Sequence, residues 1–329
     1  MDQAFIQNIF RINDRETFRA AALEVFNYQA KHTPVYREYL STLRADPSSI
    51  KEPEEIPFLP IEFFKSHRVL EEGTEPEVTF ESSGTTGTAP SRHFVADAGL
   101  YGESFMRGFC HLYGDPEQYC IFALLPSYLE RKGSSLVYMM DHLIRHSAHP
   151  DSGFYLDQFA ALSDILHTRN RDKHPTLLLG VSFALLDLAE RSPLPLGRNV
   201  TVMETGGMKG RRKEMVRSEL HRRLKEAFGL SSIHSEYGMT EMLSQAYSKG
   251  EGLFYAPPWM KILIRDPNDP FSLLPPGQSG GINVMDLANV HSCSFIATGD
   301  LGKIHEDGSF EVLGRYDSSD IRGCNLLVS

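Results

Sequence analysis

Three apolar runs, each too short for a helix and each followed by helix-like text, constrain the fold more than anything else in this chain. They are YCIFALLP (119–126), PTLLLGV (175–181) and RNVTVMETGG (198–207). The first two do not alternate polar with apolar residues, so those strands are expected to bury both faces, as strands of a parallel sheet do. Amphipathic text follows each one: SSLVYMMDHLIRHSAH (134–149), SFALLDLAERS (182–192) and KEMVRSELHRRLKEAFG (213–229). Strands alternating with helices predict an α/β fold with a parallel sheet. The first 45 residues read as helical, and DAGLYGESFMRGFCHLYG (97–114) predicts a further helix. Beyond Phe254 the texture changes to short strands in KILIRDP, GINVMDL and GKIHEDGSFEVLGR, the last turning at Asp307-Gly308. This predicts a smaller β-rich portion near the C-terminus.

Composition removes several classes of function. A net charge of −10 disfavours general nucleic-acid binding. No stretch reaches 18 apolar residues, so no membrane span is expected, and MDQAFIQNIFRINDRE lacks the apolar core of a signal peptide. The four cysteines, Cys110, Cys120, Cys293 and Cys324, form no CxxC pair. A cytoplasmic protein with reduced thiols is the expectation. Cys110, Cys120 and Cys293 lie in apolar text and are expected in the core.

The segment EVTFESSGTTG (77–87) joins a short strand, Val78 to Phe80, to a Ser/Thr/Gly loop. Such a loop turns backbone N–H groups and hydroxyls toward an oxyanion, which suits a polyphosphate. It is not a Walker A loop, because no Gly-Lys-Ser/Thr follows. Three short segments follow in order: SEYGMTE (235–241), ATGDLG (297–302) and GRYDSSDIRG (314–323). Each alone reads as a turn or strand end; the ordered set does not.

Together these segments resemble the motif set of the adenylate-forming superfamily, which includes acyl-CoA synthetases, peptide-synthetase adenylation domains and luciferases. TPVYREYL and IPFLPIEFFKSH resemble phenylacetate–CoA ligase relatives. LLPSYLERKGSSLVYMM and GRYDSSDIRGCNLL are most similar to the acyl-protein synthetases, also called long-chain-fatty-acid–luciferin-component ligases. The resemblance implies an adenylate-forming catalytic domain over 1–313, then a hinge motif and short tail over 314–329, without the family's usual C-terminal lid domain and its lysine. It implies an acid–thiol ligase that uses ATP and Mg²⁺ to convert a fatty or similar carboxylic acid to an acyl-adenylate and passes the acyl group to a protein thiol. An acyl reductase or acyl-carrier protein is the implied partner.

Residue by residue, the resemblance implies that Ser82, Ser83, Gly84, Thr85, Thr86 and Gly87 hold phosphate. Gly206 and Gly207 form the turn beside adenine, Tyr237 stacks on adenine, and Gly238 admits close backbone approach. Thr240 touches the α-phosphate, Glu241 holds Mg²⁺, Asp300 accepts the ribose hydroxyls, and Arg315 contacts ribose or phosphate. Cys324 is either the acyl acceptor or an inert tail thiol. The lysine that usually follows the loop is missing; Arg92 is the nearest cation, and guanidinium and ammonium are not interchangeable. The apolar stretches 124–130 and 177–186 are candidates for an acyl tunnel. Two other functions stay open: an acyl- or aryl-CoA ligase whose lid function is supplied elsewhere, and a non-catalytic nucleotide-binding subunit of a reductase complex.

Three further signals are set aside. GVSFA (180–184) places Ser182 in a near-match to a nucleophile elbow, but its fifth residue is Ala. His142, His146 and His149 share one face of an expected helix without a completing carboxylate or thiol. Val216, Leu220, Leu224 and Phe228 predict the apolar face of a basic amphipathic helix.

Overall fold

The computed structural model describes residues 1–82, 89–126, 133–208, 212–213 and 215–315. The chain opens with helices α1 (Gln3–Ile9), α2 (Arg15–His32) and α3 (Pro34–Thr42), a two-residue strand β1 (Leu59–Pro60) and a short helix α4 (Phe63–Ser66). Strands β2 (Val78–Glu81) and β3 (Arg92–Val95) pair antiparallel on either side of the Ser/Thr/Gly segment. Then come α5 (Ala98–Tyr113), β4 (Cys120–Leu124), α6 (Ser135–Ser147), β5 (Gly153–Tyr155), α7 (Phe159–Asp172), β6 (Thr176–Val181), α8 (Ser182–Arg191), β7 (Val200–Thr205) and α9 (Arg217–Phe228). The remaining elements are strands: β8 (His234–Tyr237), β9 (Ala246–Ser248), β10 (Leu253–Phe254), β11 (Met260–Arg265), β12 (Ser279–Asp286), β13 (Phe295–Ile304) and β14 (Phe310–Arg315).

One sheet has the order β5-β4-β6-β7-β8-β9, parallel except for its last pair. β4 and β6 are buried along their whole length, as their unbroken apolar text requires. At Gly180, one residue before the end of β6, a methyl group would press into Leu185 and Leu124, so glycine sets how closely α8 packs on the sheet. Helix ends follow from capping: the Asp97 carboxylate accepts from Leu100 N at 2.9 Å at the start of α5, and Gly114 (φ +81°) stops it.

The second sheet runs β10-β14-β13-β12-β11, with β1 parallel to β13. β13 and β14 turn through Gly308 (φ +83°), as the Asp-Gly pair predicts. The N-terminal helices cover this sheet. The Gln29 amide of α2 donates to the carbonyls of Asn289 and Val290 and accepts from Ser294 N, while Phe26, Tyr36 and Phe58 pack edge-on or stacked against Phe295. Among the described residues no helix is long and apolar enough to cross a membrane.

Three expectations are corrected. Val216 is the N-cap residue of α9 and 69% exposed, not part of the buried face formed by Leu220, Leu224 and Phe228. Cys110 is exposed, because α5 turns Phe105 and Phe109 inward and Cys110 lies off that face. Helix α6 ends at Ser147, so His149 leaves the line of His142 and His146 and instead meets Arg169 at 3.0 Å.

Candidate active site

The site forms where the C-terminal ends of β7 and β8 meet β13 and β14, the edge at which parallel sheets place ligands. The register pairs Asp300 on β13 with Arg315 on β14. The Arg315 Nε donates to Asp300 Oδ1 at 3.3 Å, the Tyr237 hydroxyl donates to Asp300 Oδ2 at 2.9 Å, and Asp300 N donates to Thr298 Oγ1 at 3.1 Å. Residues from the second, third and fourth of the sequence segments thus meet in one hydrogen-bonded set. Burial, followed by the adjacent Asp300 carboxylate, holds the Tyr237 hydroxyl well above the ordinary phenol range, so it stays a donor. Its ring lies edge-on to Phe254 and Phe310.

Gly206 and Gly207 emerge exposed from the end of β7, Gly206 with φ +67°. Gly238 leaves β8; a methyl group there would run into the Glu236 carboxylate and the Gln245 side chain, so close packing requires glycine. Glu241 is 5% exposed, and burial raises its carboxyl above the usual range, opposed by a hydrogen bond from Ser91. Of the candidate phosphate residues only Ser82 is described; its hydroxyl accepts from Ser91 N at 2.9 Å and its N–H donates to Ser91 O at 3.0 Å, closing the stem of the loop. Ser83, Gly84, Thr85, Thr86, Gly87 and Cys324 lie outside the described residues. Arg92, the nearest cation after the loop, lies over the Phe94 ring at 5.6 Å.

The segment after Gly238 is held from behind by residues the sequence did not point to. The Asp286 carboxylate accepts from Leu243 N at 2.7 Å and Ser244 N at 2.9 Å. His93 Nδ1 faces Thr240 O at 2.8 Å and its Nε2 faces Asn289 Oδ1 at 3.1 Å. Asn289 Nδ2 donates to the carbonyls of Glu241 and Cys293, both at 2.9 Å. Burial pulls the His93 ring down to about 4.

A second polar group lies beside it. Glu204 on β7 accepts from Arg217 at 3.1 Å and Ser182 at 3.1 Å and meets His221 at 3.4 Å. Burial works to raise its carboxyl, but His221 and Arg217 hold it low. Arg217 also donates to Val312 O at 2.8 Å, joining α9 to β14 just before Arg315. Ser182 is buried, and its hydroxyl also donates to Gly206 O at 2.9 Å; it braces the β7 turn rather than acting as an elbow nucleophile. Among the described residues no three His, Cys, Asp or Glu side chains are grouped to hold a metal by themselves. The thiols of Cys110, Cys120 and Cys293 are all pushed upward by burial, the last two to about 11 and about 12.

The fold is similar to that of solved acyl-CoA ligases. A 2-hydroxyisobutyryl-CoA ligase solved with its acyl-adenylate and CoA matches with a TM-score of 0.66 at 16% identity, over 92% of this chain and 70% of that one. ATP-bound MatB from Rhodopseudomonas palustris matches with a TM-score of 0.53 at 20% identity, over 72% of this chain and 47% of that one. Residues 176–329 match the family model described as acyl-protein synthetase, LuxE. The long-chain-fatty-acid–luciferin-component ligase of Vibrio harveyi is 28% identical over 143 residues, 40% of this chain and 38% of that protein, so the match spans well under half of the relative's length. Both the α/β fold and the resemblance read from the motifs agree with these findings.

Proposed function

We propose that the chain activates a carboxylic acid, fatty or similar, with ATP and Mg²⁺, giving an acyl-adenylate and pyrophosphate, and that the acyl group then passes to a thiol. The observation that carries this reading is the convergence of Tyr237, Asp300 and Arg315 into one hydrogen-bonded set next to the buried Glu241. Asp300 offers two carboxylate oxygens, the number needed to accept from a pair of vicinal ribose hydroxyls. Its present donors, Tyr237 and Arg315, hold those oxygens in place, and Arg315 is exposed enough to turn toward phosphate. Gly206, Gly207 and Gly238 leave the strand ends free of side chains where a planar base enters.

A single buried carboxylate, Glu241, suits Mg²⁺, which binds through one or two carboxylates with the substrate's phosphates and water supplying the rest. That ion would spread the charge that builds on the phosphates. Thr240 sits on the same turn to contact the α-phosphate. In the first step a carboxylate oxygen of the acid attacks the α-phosphorus, and the bond to the bridging oxygen of pyrophosphate breaks. In the second a thiolate attacks the acyl carbon, AMP leaves, and the thiol proton goes to solvent. Cys120 and Cys293 are buried and so are poor acceptors; the proposed acceptor is Cys324, coenzyme A or a partner protein such as an acyl carrier or acyl reductase. A cytoplasmic setting fits these substrates.

The test is exchange of labelled pyrophosphate into ATP, run with acids of several chain lengths. Acid-dependent exchange that Glu241→Ala abolishes is expected. ATP binding without exchange for any acid refutes the activity and favours a nucleotide-binding subunit.

A further inference from the structure

Thr240 and Glu241 lie in a turn, and the carbonyls of both residues point into the protein. A buried carbonyl needs a partner, and here each has one side-chain partner from a distant segment. Thr240 O faces His93 Nδ1 at 2.8 Å, and Glu241 O accepts from Asn289 Nδ2 at 2.9 Å. His93 and Asn289 then meet each other at 3.1 Å. Both are closed to solvent, His93 at 0% and Asn289 at 1%. Asn289 cannot turn its amide over without loss, because its nitrogen also donates to Cys293 O at 2.9 Å; its oxygen faces His93 Nε2, and the neutral ring shares its single N–H between the two sides of the bridge through its two tautomers.

Fixing two consecutive carbonyls fixes two consecutive peptide planes, and with them the direction in which the Glu241 side chain leaves the backbone. His93 belongs to β3, two residues after Ser91, which hydrogen-bonds to the Glu241 side chain and closes the stem with Ser82. Asn289 belongs to the connection between β12 and β13, whose second strand carries Asp300. The bridge therefore joins the strand leaving the Ser/Thr/Gly segment, the Thr240-Glu241 turn and the strand bearing the ribose-side carboxylate.

We propose that His93 and Asn289 are positioning residues for adenylation: they aim Thr240 and Glu241 and keep that turn in register with Asp300 and the loop stem. This rests on the functional reading above. Neither residue touches the substrate; both act through the backbone.

The test compares wild type with His93→Leu, His93→Asn and Asn289→Asp, and with Leu166→Ala, a core variant in α7 that belongs to none of these hydrogen-bonded groups. Asparagine places its amide nitrogen where Nδ1 lies and so keeps the donor to Thr240. Three quantities are measured: kcat and KM for ATP in pyrophosphate exchange, amide hydrogen exchange over residues 238–244 in the nucleotide-free protein, and the melting temperature. His93→Leu and Asn289→Asp should lower kcat about 10- to 100-fold, as misaimed groups do. KM for ATP should stay within about threefold, and amide exchange over 238–244 should quicken below the melting transition. His93→Asn should recover kcat to within about threefold. Leu166→Ala should melt earlier yet keep its kcat. If kcat simply follows melting temperature across all variants, or His93→Asn is as slow as His93→Leu, the proposal is overturned. Wild-type exchange that His93→Leu leaves intact overturns this proposal alone. A wild type with no acid-dependent exchange overturns the activity reading, and this proposal with it.

Discussion

Glu236 lies at the end of β8 next to Tyr237 and is 7% exposed. Its carboxylate accepts a hydrogen bond from Thr205, and the second buried carboxylate, Glu204, is on the neighbouring strand. Burial first, and then the Glu204 charge, raise the Glu236 carboxyl from 4.5 to about 7. In the unfolded chain the group loses its proton near 4.5, while the folded protein keeps it to about 7. Between those values the folded state binds more protons, so stability falls as pH rises. The gap corresponds to about 3 kcal/mol of stability, fully present below pH 4.5 and lost as the pH rises to about 7. Glu236→Gln removes this titration and keeps an oxygen for the Thr205 hydroxyl.

Urea titrations of both proteins at several values between pH 4.5 and 8 would measure the difference. Other groups titrate there too: burial pulls His93 and His234 down to about 4, which makes stability rise with pH over part of the range. Those contributions are common to both proteins and cancel when one curve is subtracted from the other. The variant should gain on wild type by about 3 kcal/mol from pH 4.5 to 8. Curves that run parallel within about 0.5 kcal/mol would refute the claim that Glu236 is held neutral by its surroundings.

Other outcomes follow from the same geometry. Asp300→Asn should raise KM for ATP about 10- to 100-fold, since the amide offers one acceptor where the carboxylate offers two; unchanged steady-state KM would remove Asp300 from the ribose side. Arg217→Met leaves Glu204 buried with a weaker partner set and should cost about 3 kcal/mol in urea denaturation, with Glu204→Gln in the same chain recovering most of it. Maleimide should label Cys110 in the folded protein, while Cys120 and Cys293 react only after denaturation; mass spectrometry of the peptides decides between these.

The α/β order was readable because β4 and β6 bury both faces, so their text is apolar without alternation and cannot be mistaken for a half-exposed strand. The same local logic failed at Val216: the four-residue spacing continues one step past the point where the backbone turns extended, at ψ 145°, and α9 has not yet begun. Cys110 failed for a related reason, since apolar neighbours in sequence do not say which face of a helix a residue occupies.

The site divides along the same line. Tyr237, Asp300 and Arg315 could be singled out as candidates because each lies in a short segment whose residue order is itself distinctive. His93, Asn289, Asp286 and Glu204 were not, because a lone histidine or asparagine in a strand or loop carries no local mark. His93 acquires its role only when β3 comes to lie against a turn 147 residues away, and Asn289 when a connection 48 residues on reaches back to Glu241. Residues proposed to contact substrate need particular chemistry and so leave a pattern; those proposed to aim them need only satisfy a carbonyl, and several side chains can do that. For this chain the supporting layer is therefore visible in the fold and not in the text. Mutating His93 or Asn289 asks whether that layer governs the rate or only the stability.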